Sequence, residues 1–291
     1  MLKWVAYYLG LPFLFGLSIL PLRVLYLFSD LAFLLVYYLF RYRRELVFQN
    51  MRNAFPEMAE DELWSLHRRF FRHFCDLFVE ILKSFTIRPA ELKRRMKLDA
   101  DNPAIELAYG HRSAIVALGH YGNWEWFGLR ASLTYPEQMY AIYRPLKNPG
   151  FNRLIFRRRQ RFGMRLYTMK DTLRGMLANR NRSTFTCFLT DQAPPPENAI
   201  WLEFLNQDTP VFAGTEKIAR KLGFPVLFVS CNKVRRGYYE MTLKWVTQDP
   251  AACAPGEITA RHTRLLEEEI RRAPAYWLWS HRRWKHKRPE A

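Results

Sequence analysis

An α/β fold, with a central, largely buried sheet flanked by helices and preceded by N-terminal membrane-anchoring helices, is what this sequence predicts, and three features carry the prediction. From residue 111 onward, short apolar runs alternate with helical patterns, the texture of a sheet covered by helices. Before them lies a long stretch with apolar residues at three- and four-residue steps. Before that, two apolar runs fill the first 40 residues.

The N-terminal runs come first in the chain. From Trp4 to Leu22 there is no charged side chain, a length of roughly 19 residues that at 1.5 Å each nearly spans a hydrocarbon core of about 30 Å. Pro12 and Pro21 interrupt it as a straight helix. A second run, Val24 to Phe40, is broken only by Asp30 and ends at Arg41, Arg43 and Arg44, which suit anionic headgroups. Whether this second run spans the bilayer or lies flat on it is left open by the sequence. Lys3 is a weak leader of a signal peptide and bulky "LPLRVLY" stands where a small-residue cleavage motif belongs, so a retained anchor is expected. Because the arginines follow the first run, the rest of the chain is placed in the cytoplasm. The expected division is an anchor over residues 1–45 and a catalytic domain over residues 46–291.

Residues 61–85 read as one helix whose apolar face holds Leu63, Leu66, Phe70, Phe74, Leu77, Phe78, Ile81, Leu82 and Phe85, with His67 and His73 on the polar side. Segments 113–119, 139–143, 183–190, 199–205, 224–230 and 238–246 read as strands. Helices are expected near 123–133, 148–162, 171–180 and 214–222, and "APPPE" at 193–197 is a loop.

Composition excludes some functions. With 49% hydrophobic and 16% aromatic residues the chain buries a substantial core. Its net charge of +18, from 45 Lys and Arg against 27 Asp and Glu, asks for an anionic partner: nucleic acid, anionic lipid, or an acidic carrier or substrate. Cys75, Cys187, Cys231 and Cys253 are scattered, with no CxxC or Cys/His spacing, so neither zinc nor a disulfide framework is expected.

The stretch "GHYGNWEW" is the chemically suggestive one. His120 follows a buried-strand pattern, at the end where α/β folds place their ligands. Five residues at about 100° each separate His120 from Glu125 by roughly 140° on an ideal helix, so the pair meets only across a turn. Gly122 and Asn123 supply that turn, Asn123 as N-cap, and Glu125 would then reach back to orient the imidazole. The alternative is a buried histidine beside a solvent-facing glutamate. Tyr143 and Arg144 follow the second strand and Asp191 and Gln192 a later one, and both pairs are candidates for the same cleft, with a packed tyrosine, a surface arginine and a turn aspartate as the plain alternatives. Cys187 sits mid-strand in "TFTCFLT" and reads as a small core residue rather than a nucleophile.

Five segments in order resemble the bacterial lysophospholipid and lipid A acyltransferase family: the N-terminal "LPLRVLYLFSDLAFLLVYYLFRYRRELVFQNMRNAFPE", "GHYGNWEW" as an HxxxxD/E signature, "YRPLKNP", "TDQAPP" and "YWLWSHRRWK". The resemblance runs over nearly the whole length. It implies a glycerolipid acyltransferase-like fold, His120 as base with Glu125 as its orienting acid, Arg159 as an essential basic residue, and Asp191 in a substrate-binding loop; Arg144 and Gln192 join them as substrate-binding candidates by their positions after strands. Which arginine of Arg157, Arg158, Arg159 and Arg161 is essential is left open by "RRRQRFG". The residues "YGNW" between His and acid differ from the usual lipid A lauroyl branch and leave the acceptor open.

The expected chemistry needs no cofactor and no metal. No Gly-x-Ser-x-Gly elbow is present, so a direct, base-assisted attack by a substrate hydroxyl is more economical than a covalent acyl-enzyme; the resemblance implies a lipid hydroxyl as that acceptor and an acyl carrier protein thioester as the donor. The implied acceptor is a lipid A precursor, with a glycerophospholipid or aminolipid as alternative. The implied location is the cytoplasmic face of the bacterial inner membrane. Acidic carrier and phosphorylated lipid both suit the positive charge, and nucleic acid is not an expected partner. The tail "WLWSHRRW" reads as an interfacial element, with Trp at the headgroups and Arg on phosphates. A noncatalytic, basic, membrane-anchored binding protein is the competing class.

Overall fold

The computed structural model describes residues 2–99, 103, 106–107, 110, 112–136 and 138–289. Five helices open the chain: α1 (Leu2–Ile19), α2 (Leu22–Leu34, continued by a π turn over Leu35–Leu39), α3 (Arg44–Ala54), α4 (Glu60–Lys83) and α5 (Pro89–Arg95). Then follow β1 (Met96–Leu98), β2 (Ala114–Leu118), α6 (Trp124–Thr134), β3 (Met139–Tyr143), α7 (Pro149–Arg159), β4 (Arg165–Thr168), α8 (Thr172–Ala178) and β5 (Phe185–Leu189). The chain continues through β6 (Ala199–Phe204), β7 (Gln207–Phe212), α9 (Gly214–Leu222), β8 (Val226–Arg235), β9 (Tyr238–Thr247) and α10 (Glu257–Arg272).

Seven strands form the central sheet in the order β1-β9-β8-β2-β5-β3-β4, parallel throughout except for the β8/β9 pair. β2 is central and buried at all five residues, which is why "AIVAL" is apolar without alternation. The chain leaves β2 for β3 and β4, returns to insert β5 between β2 and β3, and later adds β8 on the other side of β2. This arrangement opens a crevice at the carboxyl ends of β2 and β5, where open α/β sheets bind ligands.

The expected strand over 199–205 lies outside this sheet. It pairs with β7 in a separate hairpin, Phe204 opposite Gln207. The two-residue turn has φ +52° at Leu205 and +59° at Asn206, a conformation unfavourable for leucine. Leu205 is fully buried in compensation. The strands β1, β4 and β7 and the helices α3, α5 and α10 were not anticipated, although Ile258, His262, Leu266 and Ile270 are buried at four-residue steps along α10.

His67 and His73 correct the reading of the long helix: both are buried, while Phe78 is exposed. Helix α4 is enclosed on more than one side, so a single apolar stripe does not describe it. His67 bonds the Tyr37 hydroxyl at 3.2 Å and the Arg44 carbonyl at 3.0 Å.

Helix α2 is docked on α4 by one face and bare on the other. Leu25, Phe33 and Tyr37 are buried, and Ser29 Oγ donates to Asp76 Oδ1 at 2.8 Å. Arg236 ties Asp30 of α2 to the same Asp76. The outer face exposes Leu27, Phe28, Leu31 and Leu34. Among the described residues Leu22–Leu39 is the one helix long and apolar enough to cross a membrane, with mean hydropathy 1.6. Lys83 Nζ bonds the carbonyls of Ser18, Ile19 and Leu20, placing a cation on the carbonyl end of α1.

Candidate active site

β2 and β5 run parallel and in register, Leu118 opposite Leu189. The ladder continues one step, with Thr190 N donating to Leu118 O at 3.0 Å. One step further the register brings His120 beside Asp191. His120 Nδ1 lies 2.6 Å from Asp191 Oδ1, and the His120 backbone N–H donates to Asp191 Oδ2 at 2.7 Å. Trp277 Nε1 donates to the same Oδ2 at 2.8 Å. Burial alone would push the Asp191 carboxyl up, but the His120 charge and the hydrogen bonds from His120 and Trp277 outweigh it and hold the group at about 2. An ionised Asp191 accepts, so Nδ1 carries the proton and Nε2 presents its lone pair. Gln192 Nε2 stands 3.3 Å from that nitrogen.

The turn after His120 is fixed by backbone geometry and by the C-terminal block. Gly122 has φ +60°, and a Cβ there would fall 1.9 Å from the Cys231 carbonyl oxygen. Leu278 N donates to His120 O and Gly122 N to Tyr276 O. Trp277 and Trp279 are consequently buried, at 2% and 0% exposure, and are not headgroup anchors as the sequence suggested. Their apolar rings and N–H groups are used internally, to hold the turn and Asp191.

Glu125 does not orient His120. It lies in the first turn of α6, and its carboxylate is engaged by Arg158 and Arg159: Arg158 Nη2 and Arg159 Nε (3.2 Å) on Oε2, and Arg159 Nη2 on Oε1 at 2.5 Å. Arg158 is buried and also donates to Ser84 Oγ at 3.0 Å. Burial pushes the Glu125 carboxyl up, but the two guanidinium charges overcome this and hold it at about 2. The physical reason is direction: Asn123 caps α6 as expected, accepting from Trp126 N at 2.9 Å, and the helix so started carries Glu125 toward α7. The imidazole instead meets Trp124 edge-on, ring centroids 5.0 Å apart.

A cavity of about 410 Å³ opens in front of this arrangement, within the size range of small-molecule sites. His120, Tyr143, Arg144, Arg159 and Gln192 are among its polar lining, and Ile142, Phe156, Phe188 and Ile218 among the apolar part. Most of the residues singled out by sequence therefore converge on one space. Glu125 and Asp191 stand behind it, each gripping a lining residue. A small apolar recess of about 50 Å³ shares Ile142, Leu189 and Arg159 with the main cavity and reaches Met164 and Cys187. Burial raises the Cys187 thiol to about 12, which keeps it protonated.

Glu80, Ser84 and Trp277 were missed by sequence reasoning. Glu80 accepts from Asn123 Nδ2 and Tyr239 Oη, both at 2.7 Å, and from Tyr26 Oη at 2.8 Å. The signal for it was a lone carboxylate inside the apolar run "LFVEILKSF".

The sequence pattern of the family described as bacterial lipid A biosynthesis acyltransferase matches residues 1–286. Among curated proteins, the lipid A biosynthesis palmitoleoyltransferase of Escherichia coli (strain K12) is 23% identical over 246 residues, covering 84% of this chain and 79% of its own length. A lipid A biosynthesis acyltransferase of Shigella flexneri is similar to the same extent, 23% over 246 residues.

Proposed function

The chain belongs to the bacterial lipid A biosynthesis acyltransferase family, and on that premise we propose that it transfers a fatty acyl chain from an acyl carrier protein thioester to a hydroxyl of a lipid A precursor, using a His120–Asp191 pair as general base. The observation that carries this reading is a histidine with one nitrogen held by an ionised, buried carboxylate and the other facing an apolar cavity. His120 Nε2 removes the proton of the acceptor hydroxyl as that oxygen attacks the thioester carbonyl. The C–S bond then breaks, and the carrier's thiolate takes back the proton from the imidazolium. Asp191 stabilises the imidazolium and fixes its tautomer.

Arg159 is the proposed donor to the developing oxyanion or to an acceptor phosphate. Glu125 takes its Nε and Nη2, which leaves Nη1 for the substrate and fixes the plane of the guanidinium. Glu125 is thus a positioning residue. Gln192 and Arg144 complete the polar part of the site, and the apolar lining and its recess take the acyl chain.

The exposed outer face of α2, with α1, is proposed to attach the protein to the cytoplasmic face of the inner membrane, so residues 1–45 serve as anchor while α2's inner face braces the catalytic body of residues 46–291. A binding protein without catalysis would have no use for an ionised carboxylate held on an imidazole at the mouth of an apolar cavity. The test is to incubate purified protein with a panel of acyl carrier protein thioesters and detergent-dispersed lipid A precursors, glycerophospholipids and aminolipids, and to identify products by mass spectrometry. An acylated lipid A precursor formed by wild type and not by His120→Ala is the expected outcome; no acylated lipid with any pair would refute the reading.

A further inference from the structure

The two walls of the cavity are chemically unlike. Helix α7 forms one wall and packs against α1. Its exposed surface and the segment just before it mix apolar and basic groups, with Leu146 and Phe151 beside Arg153 and Arg157. The mixture continues the exposed apolar side chains of α1, among them Phe13 and Ile19, and is the composition of a surface that meets lipid headgroups.

The opposite wall is built by α8 and α9. Thr172 of α8 and Thr215 and Ile218 of α9 line the cavity. Beside them Lys170, Arg174, Lys217 and Lys221 are exposed, and among the described residues none of the four is in an ion pair. Of the acidic groups of this wall, Glu216 is turned inward and Asp171 is exposed. Glu216 is buried, accepting from Gly256 N and from the backbone and hydroxyl of Thr259. Asp171 accepts from Thr168 Oγ1 at 2.6 Å. The outside therefore carries four cations without an ion pair against the one carboxylate of Asp171, at the rim of the space where the thioester must react, with Met169 and Leu177 as exposed apolar spots among them.

We propose that the α8–α9 wall is the docking surface for the acyl carrier protein, with Lys217 and Lys221 at its centre. Lys217 and Lys221 are one helical turn apart and share a face of α9, which presents two adjacent cations to the acidic surface of the carrier. Ile218, between them in sequence, lines the cavity into which the thioester arm would pass. Donor and acceptor then enter from different sides, the carrier over α8–α9 and the lipid over α7 and α1, so neither has to leave before the other binds. This inference rests on the reading of the donor as a carrier protein.

The experiment compares two donors bearing the same acyl chain, one on acyl carrier protein and one on pantetheine, which has no protein surface. The acceptor is the same detergent-dispersed lipid throughout. Lys217→Glu with Lys221→Glu is expected to lower kcat/KM for the carrier thioester roughly ten- to a hundred-fold and to flatten its dependence on salt. With the pantetheine thioester the change should stay within about twofold, because no charged protein has to be steered. Replacing both lysines by alanine should give an intermediate loss, and covers the case in which the charge-reversed variant does not fold. Arg264→Glu on α10, an exposed residue in an ion pair with Glu268, is the control and should leave both donors unchanged. Equal losses with both donors would mean that the lysines act on the cavity and not on the carrier, and unchanged turnover of the carrier thioester would also overturn the inference. A wild-type protein that uses pantetheine thioesters but no carrier thioester would overturn the donor reading itself.

Discussion

Two carboxylates are candidates to meet His120 in this protein, and the one nearer in sequence is not the one on its ring. Glu125 is five residues from His120 yet turns from α6 toward α7, where it grips Arg158 and Arg159. Asp191 is 71 residues away and lies against the ring. The two pairs also differ in consequence. The His120–Asp191 pair changes protonation during the proposed reaction, so it governs the chemical step. The Glu125 cluster keeps its charges throughout, so it governs where a guanidinium sits and how well a buried arginine is tolerated.

The sharpest way to break this comparison is to remove the base. His120→Ala should reduce turnover by about 10²–10⁴-fold while leaving the protein folded, since the ring sits at a strand end and contributes little to the core. Turnover near wild type would end the general-base assignment. Next comes the contrast between the carboxylates. Asp191→Asn should lower kcat by on the order of 10³-fold, through loss of the imidazolium partner and the tautomer it fixes. Glu125→Gln should cost less in kcat, roughly ten- to a hundred-fold in kcat/KM, with KM rising as Arg159 loses its brace. The reverse ranking would return the orienting role to Glu125. A double-mutant cycle sharpens the point: Glu125 and Arg159 should couple by more than about 1 kcal/mol, while Glu125 and Asp191 should be additive within about 0.5 kcal/mol.

Stability against pH separates the regions further. His67 and His262 are each held near 4 by burial, and His73 is also pushed well down. Their unfolded forms take up protons below about pH 6.5 and the native forms do not, so stability falls as pH drops through that point. Asp191 and Glu125, held near 2, contribute stability that is present above about pH 4 and is lost as pH falls toward 2. Thermal melts from pH 7 down to about pH 2 should therefore show two successive declines, and Glu125→Gln should weaken the lower one while leaving the upper one unchanged. A single decline would mean that the histidines are not held neutral. The smallest effect is expected at Cys187, where Cys187→Ser should cost about 1 kcal/mol of stability and less than about twofold in activity. An acyl group trapped on Cys187 would instead identify a nucleophile.

Most of the sheet was legible because its strands are short apolar runs between turn residues. "MYAIY" begins and ends where expected, and "AIVAL" is a strand for the reason its composition suggests, burial on both faces. What failed to read were elements whose identity depends on neighbours. "RLYT" is half-buried along its length and becomes a strand by pairing with β3 at the sheet edge. "AIWLEFL" has strand chemistry, but only the fold sends it to a hairpin of its own. His67 and His73 looked polar because a helical wheel assumes one buried side, and α4 has more than one.

The site divides in the same way. Residue chemistry and local turns are written in the chain: a histidine after a buried strand, a glycine where no Cβ fits, an asparagine that caps the next helix, and arginines and an aspartate suited to an acyl-transfer site. These follow from short-range sterics and hydrogen bonding, which span a few residues and need no knowledge of the rest. Which carboxylate meets the histidine was decided only by tertiary structure, because the contact is created by the in-register pairing of β2 with β5 and by an indole from residue 277 that holds the carboxylate in place. Hydrogen bonding between parallel strands carries no trace in the spacing of the residues it joins, so the sequence supplied both acids and the fold chose between them.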